Sequence, residues 1–233
     1  MTNKQISEEA KQFIKQNKKL LLEQFANDKV CKSEAHPVSI FMAGSPGAGK
    51  TEFSKNLILK QAIKAVRIDA DDIRTMIPQY TGNNSNQVQG ASALGVEYLH
   101  DYVLKKKKSM ILDATFADYN KSELNIKRSL KRDRFIEIYY IYQTPLIAWK
   151  FTKAREKLEG RKVPKPIFID ALFNSKINVQ KIKEEFGDKI KVNVVIKNYQ
   201  QKVEKFFLDV ASIDSYIRIP YTKEALKKAL KTR

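Results

Sequence analysis

Eight consecutive residues, from Gly44 to Thr51, have the spacing G-x-x-x-x-G-K-[ST]. Glycines at this spacing let backbone N–H groups turn inward around phosphate oxygens, and a following helix directs its positive end toward the same anion. In such a loop the lysine reaches the terminal phosphates of a nucleoside triphosphate, and the last hydroxyl ligates Mg²⁺. The pattern predicts an ATP-phosphate site formed by Gly44, Ser45, Pro46, Gly47, Ala48, Gly49, Lys50 and Thr51.

Two carboxylates follow short apolar runs that are typical of buried strands. Asp71 comes just after the run 65–69, and Asp113 ends the run 109–113. The carboxyl ends of parallel strands meet at one edge of a sheet, where α/β proteins bind their ligands. We predict that Asp71 accepts the proton of a substrate hydroxyl as it attacks the γ-phosphorus. Asp113 is predicted to bind Mg²⁺ together with Thr51, or a substrate hydroxyl, with capping of its own loop as the alternative.

Three arginines are candidates to hold phosphoryl groups. Arg74 lies three residues after Asp71, on the same helical face, and is predicted to hold a substrate phosphate, with a surface salt bridge as the alternative. Arg155 and Arg161 bracket Gly160, ahead of two prolines. This pattern indicates a mobile lid over about 155–166 that closes over ATP, although helix-terminal arginines can also bond their own carbonyls. Two weaker candidates for contact with the substrate are Ser92 and Thr115.

Apolar runs alternate with segments of helical periodicity along most of the chain. Strands are predicted at 38–43, 65–69, 109–113, 135–142 and 189–197, with helices at 51–64, 87–107, 121–132, 145–158 and 167–186. This order is typical of βαβ units with a parallel sheet covered on both faces. The fold class is therefore α/β, a P-loop kinase-like three-layer α/β/α sandwich with a mainly parallel sheet.

The two ends of the chain are predicted to be extensions of this core. Residues 1–35 form an N-terminal helical extension, in which apolar residues of 6–27 share one helical stripe. Residues 36–197 form the kinase core. Residues 198–233 form a small C-terminal extension packed on the core, with a strand-turn-strand followed by a helix at 222–231.

Composition excludes several classes of protein. One cysteine cannot form a disulfide framework, and two histidines cannot form a multi-histidine metal centre. No apolar run reaches the ~18–20 residues of a membrane span, so a cytoplasmic protein is expected. The net charge of +18 comes from 44 basic and 26 acidic residues. Because the excess is mostly lysine spread along helices, a solvated surface is favoured over a surface that binds polyanions.

Four segments together resemble the zeta toxin family, the P-loop kinases of bacterial toxin–antitoxin systems. They are FMAGSPGAGKT at 41–51, IDADDIR at 68–74, LDAT at 112–115 and AREKLEGRKVP at 154–164. The resemblance covers about 36–197. It departs from the family at Asp113, where other members often have a glutamate, and it leaves the helix at 6–27 and the residues after 198 outside the common core.

The resemblance implies a reaction and roles for individual residues. Asp71 would be the base, Lys50 the phosphate-binding lysine, and Arg155 and Arg161 the lid arginines. Glu97, sixteen positions before Asp113, would help to hold the substrate. The best-known members phosphorylate the 3′-hydroxyl of the amino sugar in UDP-N-acetylglucosamine, and their protein partner is an antitoxin.

Two other functions remain open at this stage. A polynucleotide 5′-hydroxyl kinase also has a P loop, an Asp-Asp-x-Arg sequence, an Asp-x-Thr sequence and a lid, and the positive charge would suit a nucleic-acid end. A non-catalytic module that uses the loop as an ATP-dependent switch is the other alternative. The sequence has no N-K-x-D motif for guanine, so ATP is the expected nucleotide.

Overall fold

A six-stranded sheet lies at the centre of the computed structural model, which describes residues 2–29, 31–60, 63–200 and 202–230. The strand order is β2-β3-β1-β4-β5-β6. The first five strands along the chain are parallel, and β6 pairs with β5 in the antiparallel direction. The predicted mainly parallel sheet is therefore confirmed. The strands are β1 (Val38–Ala43), β2 (Val66–Asp69), β3 (Met110–Asp113), β4 (Phe135–Tyr142), β5 (Lys191–Lys197) and β6 (Val203–Phe207).

Helices connect the strands and cover both faces of the sheet. Thr2 caps the first helix, Pro145 begins the seventh, and Gly160 ends the seventh in the left-handed conformation with φ of 74°. The helices are α1 (Asn3–Gln16), α2 (Lys18–Ala26), α3 (Lys50–Lys60), α4 (Ala70–Arg74), α5 (Gln89–Lys105), α6 (Tyr119–Leu130), α7 (Pro145–Glu159), α8 (Lys165–Phe186) and α9 (Lys223–Ala229).

Alternation along the strands divides the core into two layers, one on each face. Phe41 and Ala43 of β1 face the larger layer, which α1, α2, α5, α6 and α8 complete. Ile40 and Met42 of the same strand face the smaller layer, where they pack with Phe53 of α3. This arrangement confirms the predicted α/β/α sandwich. Within the described ranges, no helix has the length and apolarity to cross a bilayer.

The N-terminal segment forms two helices rather than the single predicted one. The first helix ends at Asn17. The backbone N–H and the side-chain amide of this residue both donate to the carbonyl of Phe13. A side-chain amide that competes for a helix carbonyl favours a helix end, which periodicity alone does not reveal. Both helices pack on α5, and the fully buried ammonium of Lys108 holds their end by donating to the carbonyls of Ala26 and Cys31.

The C-terminal segment contains one strand, β6, and the predicted second strand is absent from the described part of 208–222. Side-chain amides hold this stretch instead: Asn193 accepts from the N–H of Asp209, and Gln180 accepts from that of Ile213. The predicted domain boundaries stay predictions. Several predicted elements include positions that lie outside the described residues. These are positions 61 and 62 of the predicted helix 51–64, position 231 of the predicted last helix, and positions 1, 30, 201, 232 and 233 of the predicted regions.

His100 of α5 is a buried histidine among cations. Its Nδ1 atom lies 3.1 Å from Nη1 of Arg128. Burial, together with the charges of Arg128, Arg134, Arg132 and Lys121, lowers the pKa of His100 to about 3. An unfolded chain binds a proton at histidine near pH ~6.5, so unfolding takes up a proton between these two values. Stability should therefore fall as the pH falls below ~6.5, by up to ~1.4 kcal/mol for each pH unit.

We expect His100→Gln to weaken this pH dependence of the free energy of unfolding. Urea unfolding of both proteins at pH 7 and pH 5 measures the effect. The loss between the two pH values should be smaller in the variant, because groups other than His100 contribute equally to both proteins. An equal loss in both proteins would show that the native state accepts the proton at this position.

Candidate active site

The phosphate loop, Gly44–Thr51, joins β1 to α3 at the carboxyl edge of the sheet. The N–H of Gly44 donates to the carbonyl of Thr115 at 3.1 Å, which connects the loop to the segment after β3. Gly47 has φ of 72°, and a Cβ there would lie 2.0 Å from the carbonyl oxygen of Ala148. Only glycine fits this conformation and this contact, so α7 packs directly against the loop.

Lys50 extends its side chain back over the loop. Its Nζ atom donates to the carbonyl oxygens of Gly44 at 3.0 Å and of Ser45 at 2.8 Å. The residue is 9% exposed, and burial lowers the pKa of its ammonium, with Asp113 and Asp69 acting in the opposite direction. An ammonium has three donors, so this geometry leaves capacity for a phosphate oxygen.

A cleft of about 560 Å³ runs from the loop along the carboxyl edge of the sheet. The ends of β2 and β3 form its floor, and α5, α6 and the end of α7 form its walls. The cleft brings together most of the predicted site residues: Pro46, Gly47, Gly49, Lys50, Thr51, Asp71, Arg74, Asp113, Thr115, Arg155 and Arg161.

Asp71 lies in the first turn of α4 and contacts three arginines. Arg74 donates to its Oδ1 atom and Arg161 to its Oδ2 atom, while Nη2 of Arg155 lies 3.6 Å from Oδ2. Asp69 caps the helix by accepting from the N–H of Asp71 at 2.8 Å. Local backbone bonding thus places the Asp71 carboxylate in the cleft.

The alternative for Arg74, a surface salt bridge, is wrong in its location, because the ion pair with Asp71 is buried. Arg74 is 2% exposed and donates to Gln89 as well as to Asp71. Gln89 lines the cleft, but the predicted site did not include it. Its position at the start of a helix, after a polar loop, carried no chemical signal.

Arg67 of β2 is a second residue that sequence reasoning missed. It donates to Asp69 and Asp72, and its Nη2 atom lies 2.9 Å from Oδ2 of Asp113. Ser54 of α3 also donates to this Oδ2 atom, at 3.0 Å. Burial, with Asp113 and Asp71 nearby, raises the pKa of Asp69 to about 6 despite the Arg67 charge. Arg67 therefore fixes the carboxylates at the ends of two adjacent strands.

The predicted lid packs against the loop that follows α4. A Cβ at Gly160 would lie 2.6 Å from Oδ1 of Asn83, and one at Gly82 would lie 2.8 Å from the carbonyl oxygen of Glu159. Glycines at both positions let the two segments approach this closely. This packing places Arg155 and Arg161 beside Asp71. The Nε atom of Arg155 also donates to Glu159 at 3.1 Å.

Two predicted substrate residues lie outside the lining of the cleft. Ser92 is fully buried, and its hydroxyl donates to the carbonyl of Gln89. Glu97 is paired with Arg128 at 3.1 Å and with Lys121 at 3.7 Å. Lys121 does line the cleft, together with Asn125 of the same helix. Among the described residues, Lys121 and Asn125 of α6 therefore line the cleft, and Glu97 does not.

Thr51 and Asp113 are the predicted metal ligands. Both line the cleft. No group of three or more acidic, cysteine or histidine side chains with metal-binding geometry occurs in the part of the chain that the structure describes. Mg²⁺ at a nucleotide needs only one or two protein oxygens, because phosphate oxygens and water complete its coordination. A hydroxyl and a carboxylate on the same cleft fit that requirement.

The phosphate loop follows a central strand of a mainly parallel sheet, helices cover both faces, and Arg155 and Arg161 line the same cleft as the loop. These features define a P-loop phosphotransferase of the kinase type. The sequence profile of the zeta toxin family matches residues 22–208. The protein belongs to this family, which confirms the resemblance. The match also includes part of the N-terminal helices and β6, which the sequence analysis placed outside the common core.

Solved structures with this fold include toxin–antitoxin and nucleic-acid repair proteins. A chain of the PezAT chromosomal toxin–antitoxin system of Streptococcus pneumoniae is 16% identical, with a TM-score of 0.70 over 94% of this chain and 92% of that chain. The AvrRxo1-ORF1:ORF2 complex with ATP gives 14% identity and a TM-score of 0.60 over 88% of this chain and 64% of that chain. A chain of the Pnkp1/Rnl/Hen1 RNA repair complex is 16% identical, with a TM-score of 0.53 over 82% of this chain and 54% of that chain. A sequence comparison with curated proteins finds no match.

Proposed function

We propose that the protein transfers the γ-phosphoryl group of ATP to a hydroxyl of a small nucleotide-linked substrate, the 3′-hydroxyl of the amino sugar in UDP-N-acetylglucosamine. The observation that carries this proposal is the contact of Arg161 with Asp71 in the cleft that Lys50 also lines. Phosphoryl transfer needs cations where charge develops on the γ-phosphoryl group and a base for the acceptor proton. Those groups meet here.

The phosphate loop and the edge of the sheet would hold ATP with Mg²⁺. Backbone N–H groups of Gly44–Thr51 bind the phosphates, and Lys50 bridges the β- and γ-phosphates. The Thr51 hydroxyl and the Asp113 carboxylate would hold Mg²⁺, which would neutralise negative charge on the phosphoryl oxygens. Arg67 and Ser54 orient Asp113 through their bonds to its Oδ2 atom.

The lid arginines would change partners when ATP binds. Arg155 and Arg161 both approach the Oδ2 atom of Asp71. A γ-phosphoryl group offers more negative charge and a better match to two guanidinium forks than one carboxylate oxygen does. We expect ATP to attract both arginines and to leave Oδ2 for the acceptor hydroxyl, while Arg74 continues to hold Oδ1 and fix the orientation of the carboxylate.

The proposed reaction uses these groups in the following way. The acceptor hydroxyl donates to Oδ2 of Asp71 and attacks the γ-phosphorus, so that its proton passes to Asp71 as the new P–O bond forms. The bond to ADP breaks in line with the attack. Lys50, Arg155 and Arg161 stabilise the charge that spreads over the equatorial oxygens.

The part of the cleft that α5, α6 and the segment after β3 line would bind the acceptor. This wall offers polar groups of three kinds: the amides of Gln89 and Asn125, the hydroxyl of Thr115 and the ammonium of Lys121. Such groups suit a hydroxylated sugar and an attached phosphate. Glu97 would act on the substrate through Lys121, its ion-pair partner. Ser92 would support this wall through its bond to the carbonyl of Gln89.

A transfer experiment with γ-labelled ATP tests the proposal. The purified protein is incubated with labelled ATP and Mg²⁺, together with either UDP-N-acetylglucosamine or a 5′-hydroxyl oligonucleotide, and the products are separated. We expect label on the sugar nucleotide. Label on the oligonucleotide alone would assign a polynucleotide kinase, and ATP binding without transfer to either acceptor would favour a non-catalytic module.

An antitoxin is the partner that membership in the zeta toxin family supports, and the PezAT relative comes from a toxin–antitoxin system. A protein encoded beside this chain that copurifies with it and blocks label transfer would be that partner.

A further inference from the structure

Lys197, the last residue of β5, is a buried cation that the proposed mechanism does not use. It is 6% exposed, and no described residue forms a hydrogen bond or an ion pair with its ammonium. Burial lowers the pKa of the Lys197 ammonium, and the charge of Glu52 only partly offsets this. The stem of the side chain is buried, but the ammonium itself reaches solvent, so it is free to contact a ligand beside the loop.

The side chain of Lys197 lies against the phosphate loop. A Cβ at Gly49 would lie 3.0 Å from Cε and 3.7 Å from Nζ of Lys197. The same position is 3.7 Å from Oε2 of Glu52, in the first turn of α3. The absence of a side chain at Gly49 is therefore what lets Lys197 reach the loop.

The two lysines near the loop lie at its opposite ends. Lys50 extends toward the first residues of the loop, Gly44 and Ser45, to which it donates. Lys197 lies beside Gly49, just before α3 begins. In a phosphate loop the backbone N–H groups bind the α- and β-phosphates, while the lysine of the motif, here Lys50, contacts the β- and γ-phosphates. A cation at the helix end of the loop is therefore nearest to the α-phosphate.

We propose that Lys197 binds an α-phosphate oxygen of the nucleotide, and so forms a second cationic contact at the end of the loop opposite to Lys50. This inference rests on the proposed ATP-dependent function. The bound phosphate provides the partner that the ammonium lacks among the described residues. The contact is made to ADP as well as to ATP, because both nucleotides carry the α-phosphate.

Binding of Mg-ATP and Mg-ADP to Lys197→Met, measured by titration calorimetry, tests the proposal. The dissociation constants for both nucleotides should rise by about tenfold or more, and by the same factor, since one charge-assisted hydrogen bond is lost. Lys197→Gln should behave similarly. The matched control is Lys191→Met, at the exposed opposite end of β5, which should bind both nucleotides like the wild type.

Thermal unfolding without nucleotide separates binding from structure. Because the ammonium has no hydrogen-bond or ion-pair partner among the described residues, the variants should unfold at the same temperature as the wild type or a higher one. Unchanged dissociation constants would overturn the proposal, as would a loss confined to ATP, which would point to the γ-phosphate. Failure of the wild-type protein to bind either nucleotide would instead overturn the ATP-dependent function, and this inference with it.

Discussion

Asp71→Asn is expected to lower the rate of phosphoryl transfer by about 10²-fold or more without raising the dissociation constant for ATP. The amide keeps the size of the carboxylate but cannot take the proton of the acceptor hydroxyl. Asp71 contacts the lid arginines and is not part of the phosphate loop, so its loss should not weaken nucleotide binding. Single-turnover transfer and equilibrium binding of ATP measure the two quantities separately.

Asp72→Asn is the matched control for this prediction. Asp72 is the next residue in α4, but it pairs with Arg67 and is the more exposed of the two carboxylates. Its amide variant should transfer phosphate at a rate within a few-fold of the wild type. If both variants were equally active, Asp71 would not be the base. If both lost activity equally, the effect would come from α4 rather than from one carboxylate.

Lys50→Ala is expected to impair both ATP binding and transfer, with a fall in turnover of about 10²–10³-fold. The ammonium is the cation inside the loop, and the variant also removes its bonds to the carbonyls of Gly44 and Ser45. Calorimetric titration with Mg-ATP and the label-transfer rate measure the two effects. Lys50→Met, which keeps most of the side-chain volume, should show the same loss if the charge is responsible.

Lys55→Ala provides the comparison on the same helix. Lys55 is exposed on α3, so its removal should change neither affinity nor rate. Normal turnover in both Lys50 variants would contradict the assignment of the phosphate loop. Loss in Lys50→Ala with normal turnover in Lys50→Met would show that only the shape of the side chain matters.

The phosphate loop and the five parallel strands could be predicted because their signals are local. The loop is defined by a fixed spacing within eight residues, and each strand is a short apolar run next to a turn. Asp71 and Asp113 follow two of these runs, and carboxyl ends of parallel strands meet at one edge. The cleft therefore contains both residues, as we expected from the strand positions.

The contacts that depend on tertiary structure could not be predicted. Arg67 lies within a strand, and only the pairing of β2 with β3 brings it to Asp113. The burial of Lys197 depends on the position of Gly49 relative to β5, two segments that are distant in sequence. The break at Asn17 depends on one side-chain bond within an otherwise regular amphipathic pattern. None of these features has a periodicity or a spacing that marks it.

The most direct test of the account is a crystal structure with a non-hydrolysable ATP analogue, Mg²⁺ and UDP-N-acetylglucosamine. The account predicts that a carboxylate oxygen of Asp71 lies within about 3.2 Å of the 3′-hydroxyl of the amino sugar. It also predicts that Arg155 and Arg161 contact the γ-phosphoryl group. A complex in which both arginines stay on Asp71, with no acceptor hydroxyl within reach of that carboxylate, would contradict it.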